Sequence, residues 1–110
     1  MHGVISLQTE IGGRLVEWDD NKAAINVRKH GVSFKRAAEV FLDEHRYDEL
    51  DELHSDEELR YKTIGMVDNI LTVIYTERGE STRLISARKA TKRERVIYYG
   101  QYLYLSGHED

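Results

Sequence analysis

The clearest hydrophobic pattern lies in the second half of the chain, where three runs are rich in β-branched and aromatic residues. They cover residues 61–67, 70–76 and 82–89 and are separated by short polar segments, the first of which is Asp68-Asn69. Turns this short join antiparallel neighbours, so the pattern predicts a three-stranded meander. Both faces of the third run carry apolar residues, which indicates a central strand covered on each side.

The first half of the chain shows a short strand followed by helical periodicity. Residues 15–18 are predicted to form the strand. The side chains of Asp19 and Asp20 can then accept hydrogen bonds from backbone N–H groups at the start of a helix that runs to about Lys29. Gly31 follows His30 and is predicted to be its left-handed C-cap.

A second helix is predicted to begin after Ser33 as N-cap. Its apolar residues follow the i, i+3, i+4, i+7, i+8 spacing of a buried face. These residues are Phe34, Ala37, Ala38, Phe41 and Leu42.

Polar residues also recur at helical spacing on the first helix. Lys22, Asn26 and Lys29 share one stripe, with His30 at its end. Spacing alone favours a solvated face over a binding surface.

The last helix is predicted to begin at Lys92, because Thr91 and Glu94 have the spacing of a capping box. Val96, Tyr99 and Leu103 then form one apolar stripe. We expect this stripe to pack against the sheet.

Composition limits the class of protein. The chain has 110 residues, a net charge of −4, 40% hydrophobic and 33% charged residues, and no Cys. This composition is typical of one globular domain in a reducing compartment, so a cytoplasmic location is the default. No apolar run reaches the length of a spanning helix, and no export signal is visible.

The charges are unevenly distributed. Nine acids stand against the single base Arg46 between residues 43 and 58, which predicts a solvated loop or an edge strand. His45 and His54 lie in this run without ligand spacing, so no metal site is predicted.

Residues 82–95 show the opposite balance, with six bases against Glu94 alone. Such a patch in an acidic protein requires an internal acidic partner or an external anion. Strand alternation places Arg83 and Arg88 on opposite faces unless a bulge intervenes.

Several separated segments together resemble the BrnT family of toxins from type II toxin-antitoxin modules. The resemblance covers roughly residues 16–99. The segments are VEWDDNKAAINVRKHGVSF, AAEVFLD, HSDEELRYKTIG, VIYTERG and RLISARKATKRER, in that order.

The resemblance implies an α+β, RelE-like fold with an antiparallel sheet of about four strands, two N-terminal helices and a C-terminal helix. Residues 14–105 would form this single toxin domain, residues 1–13 an N-terminal extension or edge strand, and residues 106–110 a frayed tail. It also implies a ribonuclease that blocks translation and is neutralised by a BrnA-type antitoxin. Two toxins and two antitoxins would form a heterotetramer that reaches operator DNA through the antitoxin.

RNA cleavage without a metal or other cofactor needs a proton acceptor, a proton donor and cations for the phosphorane. His30, Lys29, Arg78 and Arg88 are the catalytic candidates, since His30 lies in the family-like KHG motif and arginine can hold two phosphate oxygens. The RNA-binding candidates are Lys22, Arg60, Arg83, Lys89 and Lys92.

Other interpretations stay open. The His30 side chain could instead cap its helix, and the arginines could pair with the acidic run or with Glu77 and Glu80. The same basic patch could serve a non-catalytic nucleic-acid-binding module, or the acidic run and a sheet edge could dock a basic protein partner.

Overall fold

The computed structural model describes residues 6–55 and 58–107. Its strands are β1 (Ser6–Ile11), β2 (Arg14–Asp19), β3 (Tyr47–Leu50), β4 (Tyr61–Val67), β5 (Asn69–Arg78) and β6 (Ser81–Lys89). Its helices are α1 (Asp20–His30), α2 (Phe34–Ala37) and α3 (Lys92–Leu105), with 3₁₀ helices at Ala38–Leu42 and Glu52–His54.

The strands form one mixed sheet in the order β1-β2-β6-β5-β4-β3. The predicted antiparallel meander β4-β5-β6 is confirmed. The expectation of about four strands, all antiparallel, was wrong: the short strands β1 and β3 extend the two edges, and β2 pairs with β6 in parallel. Most of the chain separates β2 from β6, so no hairpin fixes their relative direction.

The larger core lies on one face of the sheet. Val16, Val73 and Leu84 of the sheet pack there with Phe34 of α2, and all four are essentially inaccessible. The predicted N-cap Ser33 is confirmed, because its hydroxyl accepts the Arg36 N–H. Most of the predicted buried residues of this segment are indeed buried.

Leu42 is the exception, with 55% of its surface exposed. The helix tightens to 3₁₀ geometry at Ala38, and three residues per turn rotate the last side chain away from the face that 3.6 residues per turn predicts. The 3₁₀ helix also approaches β4 closely. A Cβ at Gly65 would collide with the Val40 side chain, so glycine is required for this contact.

The C-terminal helix α3 packs over the opposite face of the sheet. Its capping box is confirmed, but the predicted inward stripe is wrong: Val96, Tyr99 and Leu103 are 66%, 49% and 55% exposed. Glu94 and Tyr98, one helical turn apart, face the sheet instead. The Tyr98 hydroxyl donates to Asp43 Oδ2 at 2.6 Å, which ties α3 to the end of the 3₁₀ helix.

The predicted N-terminal extension and frayed tail lie partly outside the described residues, which begin at Ser6 and end at Gly107. Within them, β1 is an edge strand paired with β2. No helix in the described ranges is long and apolar enough to cross a membrane.

Candidate active site

A β-bulge in β6 organises the candidate site. Tyr75 pairs with Leu84 and Ile74 pairs with Ser86, so Ile85 has no partner on β5. The extra residue reverses the alternation of side chains along β6. Arg83 and Arg88 therefore lie on the same face of the sheet, opposite the buried Leu84 and Ala87. Strand alternation alone predicts opposite faces for the two arginines, and the bulge is the reason for the difference.

Helix α1 takes the place of a strand beside the second half of β6. The pairing of β2 with β6 ends at Arg83, and beyond it the Asn26 side chain satisfies the open edge. Asn26 Nδ2 donates to Ala87 O at 2.8 Å, and Ala87 N donates to Asn26 Oδ1 at 3.1 Å. Asn26 Nδ2 also donates a hydrogen bond to Val32 O at 2.8 Å. The prediction that Asn26 belongs to a solvated stripe was wrong, because this residue is 5% exposed.

Replacing Asn26 by alanine should lower the free energy of unfolding by about 2–4 kcal/mol, because it leaves buried backbone groups of Ala87 and Val32 without partners. Urea unfolding followed by circular dichroism measures the loss. Asn21→Ala on the exposed side of the same helix is the control and should cost less than about 1 kcal/mol. A loss below that value for Asn26→Ala would contradict the role of this side chain.

Two grooves meet at the bulge. The first, which we call the helix groove, has a volume of about 240 Å³ and lies between α1 and β6. Lys22, Lys29 and His30 line it together with Ile85 and Ser86. Three of the predicted site residues thus share one concave surface.

His30 is exposed at the end of α1, and its imidazole makes no hydrogen bond to another described residue. The helix end is capped by Gly31 instead, whose N–H donates to Val27 O at 2.8 Å and whose φ is 72°. The interpretation of His30 as a side-chain cap is therefore not what the structure shows, and the imidazole is available for chemistry.

The second groove, which we call the arginine groove, has a volume of about 360 Å³. Arg60, Lys62 and Arg88 supply its cations, and the carboxylate residue Asp51 lines it as well. It shares Ile85 and Ser86 with the helix groove. The two grooves therefore form one continuous surface with cations on both sides of the bulge.

Arg88 is held in place by an ion pair with Glu94. Its Nη1 and Nη2 donate to the two carboxylate oxygens at 2.8 and 3.0 Å. Burial alone would raise the pKa of Glu94, but hydrogen bonds from Arg88, the Thr91 N–H and Thr72 outweigh it and hold this pKa well below its usual range. The same pair raises the pKa of Arg88. Both groups are therefore charged at neutral pH.

The other predicted residues lie outside the joined grooves. Arg78 pairs with Glu58 of the acidic run at 2.9 Å, and Arg83 pairs with the largely buried Glu17 at 2.9 Å. Lys89 lines a separate groove beside α2, and Lys92 is exposed at the start of α3. The six-base patch is thus divided among several surroundings. Arg78, outside that patch, pairs with the acidic run as the alternative interpretation proposed, whereas Arg83 and Arg88 of the patch pair with Glu17 and Glu94 instead.

Three features that shape the site were not predicted from local sequence patterns. Lys62 enters the arginine groove from β4, Glu94 anchors Arg88 across two elements, and Ile85 forms the bulge. Only the alternation of β4 could have indicated the first, since Lys62 and Arg60 follow the same period. Among the described residues, no three His, Asp or Glu side chains cluster as metal ligands would.

A cationic cleft beside an exposed histidine, on an α+β scaffold, is typical of a protein that binds a polyanion such as RNA. The family model described as the ribonuclease toxin BrnT of type II toxin-antitoxin systems matches residues 18–94. The chain therefore belongs to the BrnT family of ribonuclease toxins. As such it acts on RNA and is paired with an antitoxin.

A solved structure shows the same fold. The chain is similar to the ribonuclease toxin BrnT of Brucella abortus, known from a crystal structure at 1.1 Å resolution, with 28% identity and a TM-score of 0.52. The match covers 68% of this chain and 94% of the Brucella chain. No curated protein sequence matches significantly.

Proposed function

We propose that the protein is a metal-independent endoribonuclease that blocks translation by cutting RNA in the joined helix and arginine grooves. The observation that supports this site best is that both grooves meet at Ile85 and Ser86. An RNA strand crossing the bulge would have His30 and Lys29 on one side and Arg88 on the other. This arrangement supplies a proton-transfer group and cations to one phosphate.

The reaction would use the RNA itself as nucleophile. The 2′-hydroxyl attacks the adjacent phosphorus, the bond to the 5′-oxygen breaks, and the products end in a cyclic phosphate and a 5′-hydroxyl. His30 would transfer a proton as acid or base, assisted by Lys29. Arg88 would stabilise the extra negative charge of the phosphorane.

The remaining cations would bind the RNA backbone. We assign Lys22 and Arg60, together with Lys62, to phosphates on either side of the cut, since they line the same grooves. Lys89, Lys92, Arg83 and Arg78 lie outside the grooves. We propose that Lys89 and Lys92 attract RNA at longer range, and that Arg78 and Arg83, whose charges are balanced by Glu58 and Glu17, bind RNA only where it approaches them closely.

The family resemblance supports the rest of the proposal. We propose that a BrnA-type antitoxin neutralises this toxin in a heterotetramer of two toxins and two antitoxins, and that operator DNA is contacted through the antitoxin. We also propose that the fold is of the RelE-like type. We propose a cytoplasmic location as well, because translated RNA is found there.

Expression of the protein in bacteria should arrest growth, and co-expression of the antitoxin should restore it. The measurement is the growth rate after induction, with equal toxin levels verified by immunoblot. Arg88→Ala at the same level is the control and should allow growth. Normal growth with the unmodified chain, in the absence of antitoxin, would contradict the proposed toxicity.

A further inference from the structure

Glu94 is a buried carboxylate with more partners than its place in the helix requires. It is 7% exposed at the third position of α3. It accepts hydrogen bonds from the Thr91 N–H at 2.9 Å, the Thr72 hydroxyl at 2.8 Å, both Nη atoms of Arg88, and Lys62 Nζ at 3.5 Å. The donors come from β4, β5, β6 and the cap of α3.

Helix capping does not explain this arrangement. A capping box needs only the bond to the Thr91 N–H, and glutamine serves there as well as glutamate. Burying a charge is costly unless it is fully paired, so an uncharged residue would cap the helix at lower cost. The carboxylate of Glu94 instead forms ion pairs with Arg88 and Lys62, two cations of the arginine groove.

The geometry of Arg88 shows what this ion pair achieves. Glu94 occupies one N–H of Nη1 and one of Nη2, and Lys89 O accepts a further bond from Nη1 at 3.3 Å. The Nε–H and the second Nη2–H make no hydrogen bond to any other residue within 6–55 and 58–107. These two parallel donors form an edge that matches two phosphate oxygens.

We propose that Glu94 is a positioning residue of the ribonuclease site: it fixes the Arg88 guanidinium end-on, so that the free donor edge is held ready for the phosphate. Lys62 also contacts Glu94, at 3.5 Å, but its ammonium pairs with Glu49 at 3.4 Å as well, so its position does not depend on Glu94 alone. This inference rests on the proposed function. It adds that the start of α3 and the cleavage site are one structural unit, joined through a single carboxylate.

The test is a cycle of Glu94→Gln in the Arg88 protein and in the Arg88→Ala protein, with kcat and KM measured on a labelled single-stranded RNA. In the Arg88 protein, E94Q should lower kcat roughly 10- to 100-fold, because the guanidinium loses its fixed orientation. KM should stay the same or fall, since a negative charge leaves the groove. In the R88A protein, E94Q should leave the residual rate unchanged.

Thr91→Ala is the matched control. It removes the hydroxyl that accepts the Glu94 N–H at 3.1 Å and weakens the cap without touching Arg88. Its kcat should equal that of the unmodified protein at a temperature well below unfolding. A loss of kcat like that of E94Q would show that the effect is one of helix stability, and would overturn the inference.

Two further outcomes separate the inference from the function on which it rests. Full kcat for E94Q, or the same loss with and without Arg88, overturns the positioning role alone. No cleavage by the unmodified protein overturns the proposed function itself. If E94Q does not fold, Glu94→Asp replaces it: the charge is kept but moved by one methylene, and the same loss confined to the Arg88 protein is expected.

Discussion

Replacing Arg88 by alanine should lower the rate of RNA cleavage by about 10²- to 10³-fold, the usual cost of removing one donor to a developing anion. The guanidinium is the only cation of the described site that is anchored by two hydrogen bonds to one carboxylate, which keeps its orientation fixed before RNA binds. Single-turnover cleavage of a labelled RNA measures the effect. Arg88→Lys should also be slow, because an ammonium keeps the charge but lacks the planar pair of donors.

Arg78→Ala is the matched control for charge. Arg78 is also an arginine of the sheet with an acidic partner, but it pairs with Glu58 outside both grooves. Its loss should slow cleavage by less than about threefold and mainly reduce the dependence of RNA binding on salt. Thermal unfolding of each variant shows whether it is folded. A folded Arg88→Ala protein that cleaves as fast as Arg78→Ala would contradict the placement of the site.

Replacing His30 by alanine should slow cleavage by about 10²- to 10⁴-fold, the range expected for a lost proton-transfer group. The imidazole lines the helix groove and makes no bond to other described residues, so its removal should not affect folding. Added imidazole should restore part of the rate if a proton-transfer group has been lost.

Arg28→Ala is the control for His30, because this exposed residue lies in the same last turn of α1 but lines neither of the two grooves. It should cleave RNA at close to the unmodified rate. If His30→Ala does so as well, proton transfer by His30 is excluded, and Lys29 becomes the first candidate for that step.

Local patterns were sufficient to predict most elements of the fold. Alternation and short turns gave the β4-β5-β6 meander, and capping chemistry gave the starts of α1, α2 and α3. These patterns involve residues only a few positions apart, so they can be recognised in a single sequence. The parallel pairing of β2 with β6 depends on contacts far apart in the chain, and no local pattern encodes it.

The errors at the site have the same origin. Asn26 has the spacing of a polar surface residue, yet it replaces a missing strand partner at Ala87. The bulge at Ile85 has no glycine or other marker in the sequence, although it decides on which face Arg88 lies. Glu94 was recognised as a cap because that contact is local, whereas its bond to Arg88 follows only from the packing of α3 on the sheet.

The most direct measurement of the central claim is the end-group analysis of RNA incubated with the purified protein in EDTA. We predict cleaved RNA whose fragments carry a cyclic phosphate at one end and a 5′-hydroxyl at the other, because the 2′-hydroxyl is the nucleophile. If the RNA stays intact both with and without ribosomes, the protein binds RNA without cutting it, and the proposed ribonuclease activity is contradicted. Fragments with a 5′-phosphate would contradict the mechanism.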